Sequence, residues 1–365
     1  MLLYAPRRCS PRRSRHLFPA RTLRGAWPVM LLVAGGCDVP TSLPKWDTQW
    51  LVPVENTSFP VTQLLPASVT MTADRSAFVV PVAPLTLTRP LAVLCGACGA
   101  LSGQRVAKPA FTATLTDTLR LPSDVPAATL AGGAVVIAIT NGFAFDPIRP
   151  GGLARGTVTV TLTSGGSALG TVALDGTVDA LPPGGTVTRS VPLSAAPVAG
   201  RIVLTLTVIS PAGEVVRIDP TERFALTATP QGLRMSDVTV SVTQKPVTIQ
   251  AAQLNVSDID ASLVERVKAG ALVLDITNPF GVTGPLTLRI TGPGVNLTRS
   301  VQLGSGQTTQ TVPFTQEEIQ SILGRSGVTF SATGAVGATQ AVKLAPSQVV
   351  QLNAQLELTL GPKEG

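Results

Sequence analysis

The sequence predicts an all-β fold: two antiparallel, Ig-like β-sandwiches in tandem, an additional N-terminal β region, and one or two short helices. Three observations predict it. Residues 131–145 (AGGAVVIAITNGFAF) and 269–282 (AGALVLDITNPFGV) write one strand and one corner twice. Threonine alternates with aliphatic residues along several stretches, the period of a strand with one packed face. The 34 glycines and 31 prolines punctuate the chain too often for long helices.

The repeat extends beyond the corner, as a true internal duplication requires. Upstream, 119–130 matches 254–263; downstream, 156–163 (GTVTVTLT) matches 284–291 (GPLTLRIT) and 185–193 (GTVTRSVPL) matches 306–314 (GQTTQTVPF). Each unit of roughly 110 residues is long enough for a domain with its own core. The expected plan is therefore 1–36 signal peptide, 37–48 lipidated tether, 49–117 N-terminal β region, 118–243 first sandwich and 244–365 second sandwich.

The net positive charge is confined to the leader. The chain carries a net +7, but Arg7, Arg8, Arg12, Arg13, Arg15, Arg21 and Arg24 all precede residue 37, where there is no acid. Without those seven, 21 basic residues balance 21 acidic ones, so no nucleic-acid partner is expected of the fold. An apolar run over 26–34 follows the arginines, then Gly35, Gly36 and Cys37. That order describes a secretory signal, too short to remain as a membrane-spanning helix. The unusual length of the basic segment raises the expectation of a start codon downstream of Met1. Small residues directly before Cys37 resemble the lipobox of bacterial lipoproteins, although Ala34 stands where leucine is usual. The resemblance implies lipidation of Cys37 with palmitate-type chains, cleavage before it, and a membrane partner held through the anchor. Ordinary secretion with cleavage near Gly36 is the alternative.

From Cys37 onward, 38–48 read as a tether. Strands are expected over 50–54, 68–72, 77–82 and 85–94, with a hairpin turn at Ala73, Asp74, Arg75 and Ser76. In the first unit, Val158, Val160 and Leu162 share one face, as do Ile202, Leu204, Leu206 and Val208. In the second, Leu272, Leu274 and Ile276 should face a core and Val273 and Asp275 should face out. Thr315 and Glu318 form a capping-box pattern ahead of Ile319, Ile322 and Leu323. A second helix is expected over 261–268, capped by Asp260 and closed by Gly270.

The strand ending in Asn278-Pro279, the Thr-rich strand after it, and the VPF strand running into a helix resemble the LEA-2 or WHy domain (late embryogenesis abundant group 2; water stress and hypersensitive response). Residues 272–281 and 306–323 carry the resemblance. In the first unit Asn141 is followed by Gly142 in place of proline. The resemblance implies a seven-stranded sandwich of the kind found in desiccation-associated proteins and proteins linked to lipid handling. It implies no enzyme.

Catalytic chemistry finds little support. His16 and Tyr4, the one histidine and the one tyrosine, lie in the leader, so the commonest general base and nitrogen ligand are missing from the rest. A hydrolase with a carboxylate pair or a Ser-Lys site is the remaining enzymatic alternative. No cofactor or metal is expected. Cys95-Gly96-Ala97-Cys98 reads as a structural disulfide in an exported protein, with a redox dithiol or zinc half-site as alternatives. Asp258, Asp260 and Asn255 offer oxygens of the kind calcium takes, but a helix cap and a turn explain them too. Asn141 and Asn278 read as residues bonding their own turns. The function expected is a membrane-anchored envelope lipoprotein, structural or binding a lipid or other apolar ligand. Docking of other envelope proteins is its alternative.

Overall fold

The computed structural model describes residues 47–361, which fall within one compact unit, Lys45–Gly365. Among the described residues the fold is all-β: twenty-three strands and four short α-helices, with a single turn of 3-10 helix.

The first sandwich is built from seven strands of its own. They are β7 (Phe111–Arg120), β8 (Ala127–Asn141), β9 (Thr157–Ser164), β10 (Ser167–Asp175), β11 (Thr186–Pro192), β13 (Arg201–Ser210) and β15 (Arg223–Val240). Four of them form one sheet in the order β10-β9-β13-β7, and three form the other as β11-β8-β15. A short strand, β12 (Ala196–Val198), pairs with the start of β8.

The second sandwich has β16 (Lys245–Gln253), β17 (Val267–Asn278), β18 (Gly284–Gly292), β19 (Val295–Leu303), β20 (Gly306–Phe314), β21 (Thr329–Val336) and β23 (Val349–Leu360). Their sheet orders are β19-β18-β21-β16 and β20-β17-β23. Taken in chain order, each strand occupies the position its counterpart holds in the first sandwich. Alternation builds both interiors. Val158, Val160, Leu162, Leu204, Leu206 and Val208 are sealed on one side, Leu272, Leu274 and Ile276 on the other, while Asp275 is exposed and accepts a 2.6 Å hydrogen bond from Thr309. Burying each such aliphatic side chain contributes about 1.5–3 kcal/mol.

Residues 49–117 do not make a sheet of their own. β1 (Thr48–Pro53) and β2 (Thr57–Pro60) both pair with β23, end to end along its free edge. β4 (Phe78–Val79) and β5 (Leu85–Pro90) do the same to β15, and β3 (Thr70–Met71) pairs with β4 through the turn at Asp74 and Arg75. One stretch of chain thus covers the same open edge in both sandwiches, edges that would otherwise invite intermolecular pairing. β22 (Val342–Leu344), from the second half, also joins β15, beside Val238–Val240. A small ribbon of β6 (Arg105–Ala107) and β14 (Val215–Arg217) completes the strands. The first sandwich begins at Phe111, ahead of the boundary expected at residue 118.

Two expectations about local structure change. The strand expected over 85–94 stops at Pro90, because Pro90 lies opposite Arg223, the first residue of β15, and there is nothing further to pair with. Leu91–Leu94 instead form α1, which buries Leu91 and Leu94, and Gly96–Gly99 form α2. The helix expected over 261–268 is a single turn, α3 (Ala261–Val264), since Val267 is already paired to Leu360. Gly270 therefore lies inside β17. A Cβ there would stand 2.6 Å from the Ile319 side chain, so its role is to admit α4 (Gln316–Ile322) against the sheet. That helix has the full capping box: the Thr315 hydroxyl accepts from the Glu318 N–H, and the Glu318 carboxylate accepts from the Thr315 N–H.

Candidate functional site

The polar residues that the sequence singles out converge on two corners of the same design. At the end of β8, the Asn141 side-chain oxygen accepts from the Phe143 N–H at 2.9 Å, and its amide donates to the carbonyls of Phe145 and Leu181, each at 2.8 Å. At the end of β17, Asn278 accepts from the Phe280 N–H at 3.1 Å and donates to the carbonyls of Val282 and Gly304, each at 2.7 Å. Both asparagines are fully buried. Three hydrogen bonds apiece leave their amides no capacity for a ligand at ordinary valence beyond one acceptor site.

Gly142 and Pro279 follow these asparagines, and the difference has a cause. The Gly142 N–H donates to the Arg223 carbonyl at 2.9 Å, a bond proline cannot make, and a Cβ there would sit 2.4 Å from that oxygen. β23 pairs with β17 only as far as Thr277, so Pro279 faces no such partner. The first corner is also the more elaborate. Asp146 accepts from the N–H groups of Ile148, Arg149 and Leu181, and Glu222 accepts from the Ala144 N–H at 2.8 Å. Burial raises the Glu222 carboxyl above its usual range.

Beside this corner lies Lys108, which nothing in the sequence marks. It is 1% exposed. Its ammonium donates to the Pro211 carbonyl and stands 5.0 Å over the Phe111 ring and 5.4 Å over the Phe145 ring. Burial lowers its pKa to about 8. With a carbonyl and two ring faces around it and, among the described residues, no carboxylate bound to it, the ammonium ties the loop before β7 to the loop after β13. A lysine directly before Pro109 gives no sequence signal of burial, because the partners come from Phe145 and Pro211, far along the chain.

Cys95 and Cys98 are joined by a disulfide, with Cα atoms 5.3 Å apart, and both are buried, at 1% and 0% exposure. The flanks are two short helices rather than the end of the strand expected over 85–94. Burial of both sulfurs closes the bond to an attacking thiolate in the folded state. Asp260 caps α3, accepting from the Ser262 N–H at 2.8 Å, and its hydrogen bonds to Ser262 hold its carboxyl below the usual range. Asp258 accepts from the Ser257 hydroxyl. Among the described residues, no three acidic, histidine or cysteine side chains gather into a metal-binding group. Cys37 and the residues before it that resemble a lipobox lie outside the described residues, as do His16 and Tyr4. Among the described residues no helix is long and apolar enough to cross a membrane.

Open depressions of about 420 Å³ and 460 Å³ mark the surface of the first sandwich. The smaller lies at Gly132, Gly133, Gly232 and Arg234, where β8 bulges against β15. The larger lies at Arg120, Arg201 and the turn between β9 and β10.

No family model matches the chain, and no curated protein matches it. Among solved structures it is similar to a Parabacteroides distasonis ATCC 8503 protein described as a candidate secreted protein, at 10% identity and a TM-score of 0.29, over 87% of this chain and 100% of that one. It is also similar to a structure of infectious bursal disease virus, Gx strain, at 12% identity and a TM-score of 0.18, over 74% of this chain and 78% of the other. Likenesses this loose bear on neither the architecture nor the function.

Proposed function

We propose that the chain is an exported lipoprotein of the bacterial cell envelope, anchored through Cys37, whose two sandwiches arose by tandem duplication and serve a non-catalytic, structural role. The observation that carries this reading is the matched strand order of the two sandwiches, each closed by an asparagine that bonds its own turn. Identical order in both sheets, together with four sequence blocks in one order, supports duplication and the resemblance to LEA-2 or WHy sandwiches. The buried Cys95–Cys98 disulfide supports an oxidising compartment. Cys37 precedes β1 by the length of the short tether, which supports a fold held close to a membrane surface. Side chains of both sandwiches and of residues 49–117 fill the interior as one continuous cluster, which supports an outward-facing role, such as docking other envelope proteins, over an enclosed apolar ligand.

Fractionation of cells expressing the wild type and Cys37→Ser tests the anchor. The wild type should sediment with membranes and yield a mature N-terminal peptide carrying acyl chains on Cys37. The variant should remain unprocessed or soluble, and a variant still processed and membrane-bound would refute the anchoring.

A further inference from the structure

The outward face of the β10-β9-β13-β7 sheet is clad in threonine. Rows run across it as Thr116, Thr205, Thr161 and Thr171, and as Thr114, Thr207 and Thr159. Charge appears at the ends. Asp175 sits at one, and at the other Arg201 and Arg120 stand directly opposite each other on neighbouring strands. Both are exposed, and neither takes part in any ion pair among the described residues. Like charges facing across a strand pair destabilise a sheet. Here the pair is kept with no acid among the residues that surround it.

The surroundings are built. Ser164, 2% exposed, donates to the Arg201 carbonyl at 3.0 Å and accepts from the Ala199 N–H at 3.3 Å, pinning the β9–β10 turn to the loop before β13. Across the strand pair, the Leu121 N–H donates to the Gly200 carbonyl at 2.9 Å. The turn consists of Gly165 and Gly166, with φ of 55° and 84°, so no side chain rises there. Between turn, loop and arginines lies the 460 Å³ depression, with Thr163 on its wall. Two guanidinium forks beside a side-chain-free backbone turn and a hydroxyl match a tetrahedral oxyanion, which takes paired N–H donors bidentately.

We propose that Arg120 and Arg201 form an oxyanion site that binds a phosphate group, either free or presented by a phospholipid. Binding would remove the repulsion between the two arginines, so the anion should stabilise the fold in proportion to its occupancy. This site does not depend on the Cys37 anchor or on the duplication.

The test uses the full chain, wild type and R120Q/R201Q, in thermal melts titrated with inorganic phosphate and with sodium chloride at matched ionic strength. Chloride controls for screening, and the double variant controls for the general stabilisation that phosphate gives to any folded protein. Phosphate should raise the wild-type melting temperature beyond chloride, with at least about a tenfold loss of apparent affinity in R120Q/R201Q. R120K/R201K, which keeps charge but lacks the fork, should fall between. In low salt R120Q/R201Q should melt no lower than the wild type, which also shows that it folds. Co-sedimentation with phosphatidylglycerol vesicles against phosphatidylcholine vesicles separates the sources. A phosphate shift that needs the arginines identifies free anion, and arginine-dependent sedimentation without that shift identifies the presented phosphodiester. Equal responses of wild type and double variant in both assays would overturn the site.

Discussion

The two sandwiches share a strand order and a corner, yet they treat the first half of their long central strand differently. In the first, β8 continues backward past its glycines and is flanked by β12 and the bulged end of β15. In the second, α4 lies over β17 instead, and α3 and its loop replace the backward extension. The same aligned glycine serves both solutions for unrelated reasons. Gly133 adopts φ of 132° at the bulge, with the Gly232 carbonyl 2.9 Å from where a Cβ would be; Gly270 is extended and yields room to Ile319. One glycine position can thus serve two sandwiches of the same strand order through different physical tasks.

The largest expected effect is at the centre of the second core. Leu274→Asp places a carboxylate where the side chain is 0% exposed, and should cost several kcal/mol. Hydrogen exchange should lose protection in β17, β20 and β23 while β9 and β13 keep theirs. Simultaneous loss in both sandwiches would mean that they melt as one unit and would end the comparison. Asp275→Asn, one residue away on the exposed side, should be nearly neutral.

Next come the corners. Asn141→Ala and Asn278→Ala each leave one N–H and two carbonyls without their partner, and should each cost about 2–4 kcal/mol by chemical denaturation. Costs within about 1 kcal/mol of each other sharpen the equivalence; a corner that tolerates alanine breaks it.

The smallest effects separate the two glycines. Gly270→Ala should cost about 1–3 kcal/mol by overpacking, and Ile319→Ala should relieve most of it in a double-mutant cycle. Gly133→Ala should cost about 1–2 kcal/mol with no relief from Leu233→Ala, because its nearest obstacles are backbone atoms and its φ is unfavourable to any side chain. Relief at both positions, or at neither, would refute the distinction.

Much of this was legible in the residues themselves. Asp275 between Val273-Leu274 and Ile276 declares which face is wet, and the Thr-aliphatic alternation of β9 and β13 declares the same. The capping box at Thr315 and Glu318 needs only four consecutive residues. What could not be read depends on partners distant in sequence. Pro90 ends a strand because β15 begins opposite it, and α3 is short because Leu360 claims Val267. Lys108 is buried by Phe145 and Pro211, and Arg120 meets Arg201 only through register. Residues 49–117 add edge strands to both sandwiches instead of forming a third sheet pair.

That last arrangement has a kinetic meaning. β1 pairs with β23, so the first described strand waits for the last, and β15 waits for β22. Pairings between opposite ends of a chain close slowly, and chains growing from a ribosome ordinarily complete their N-terminal domains first. Here both sandwiches lack a pairing until residues 342–360 have been made. Until β22 and β23 are made, β1 and β2 lack the strand they pair with, and the edge of β15 at Val238–Val240 stays open.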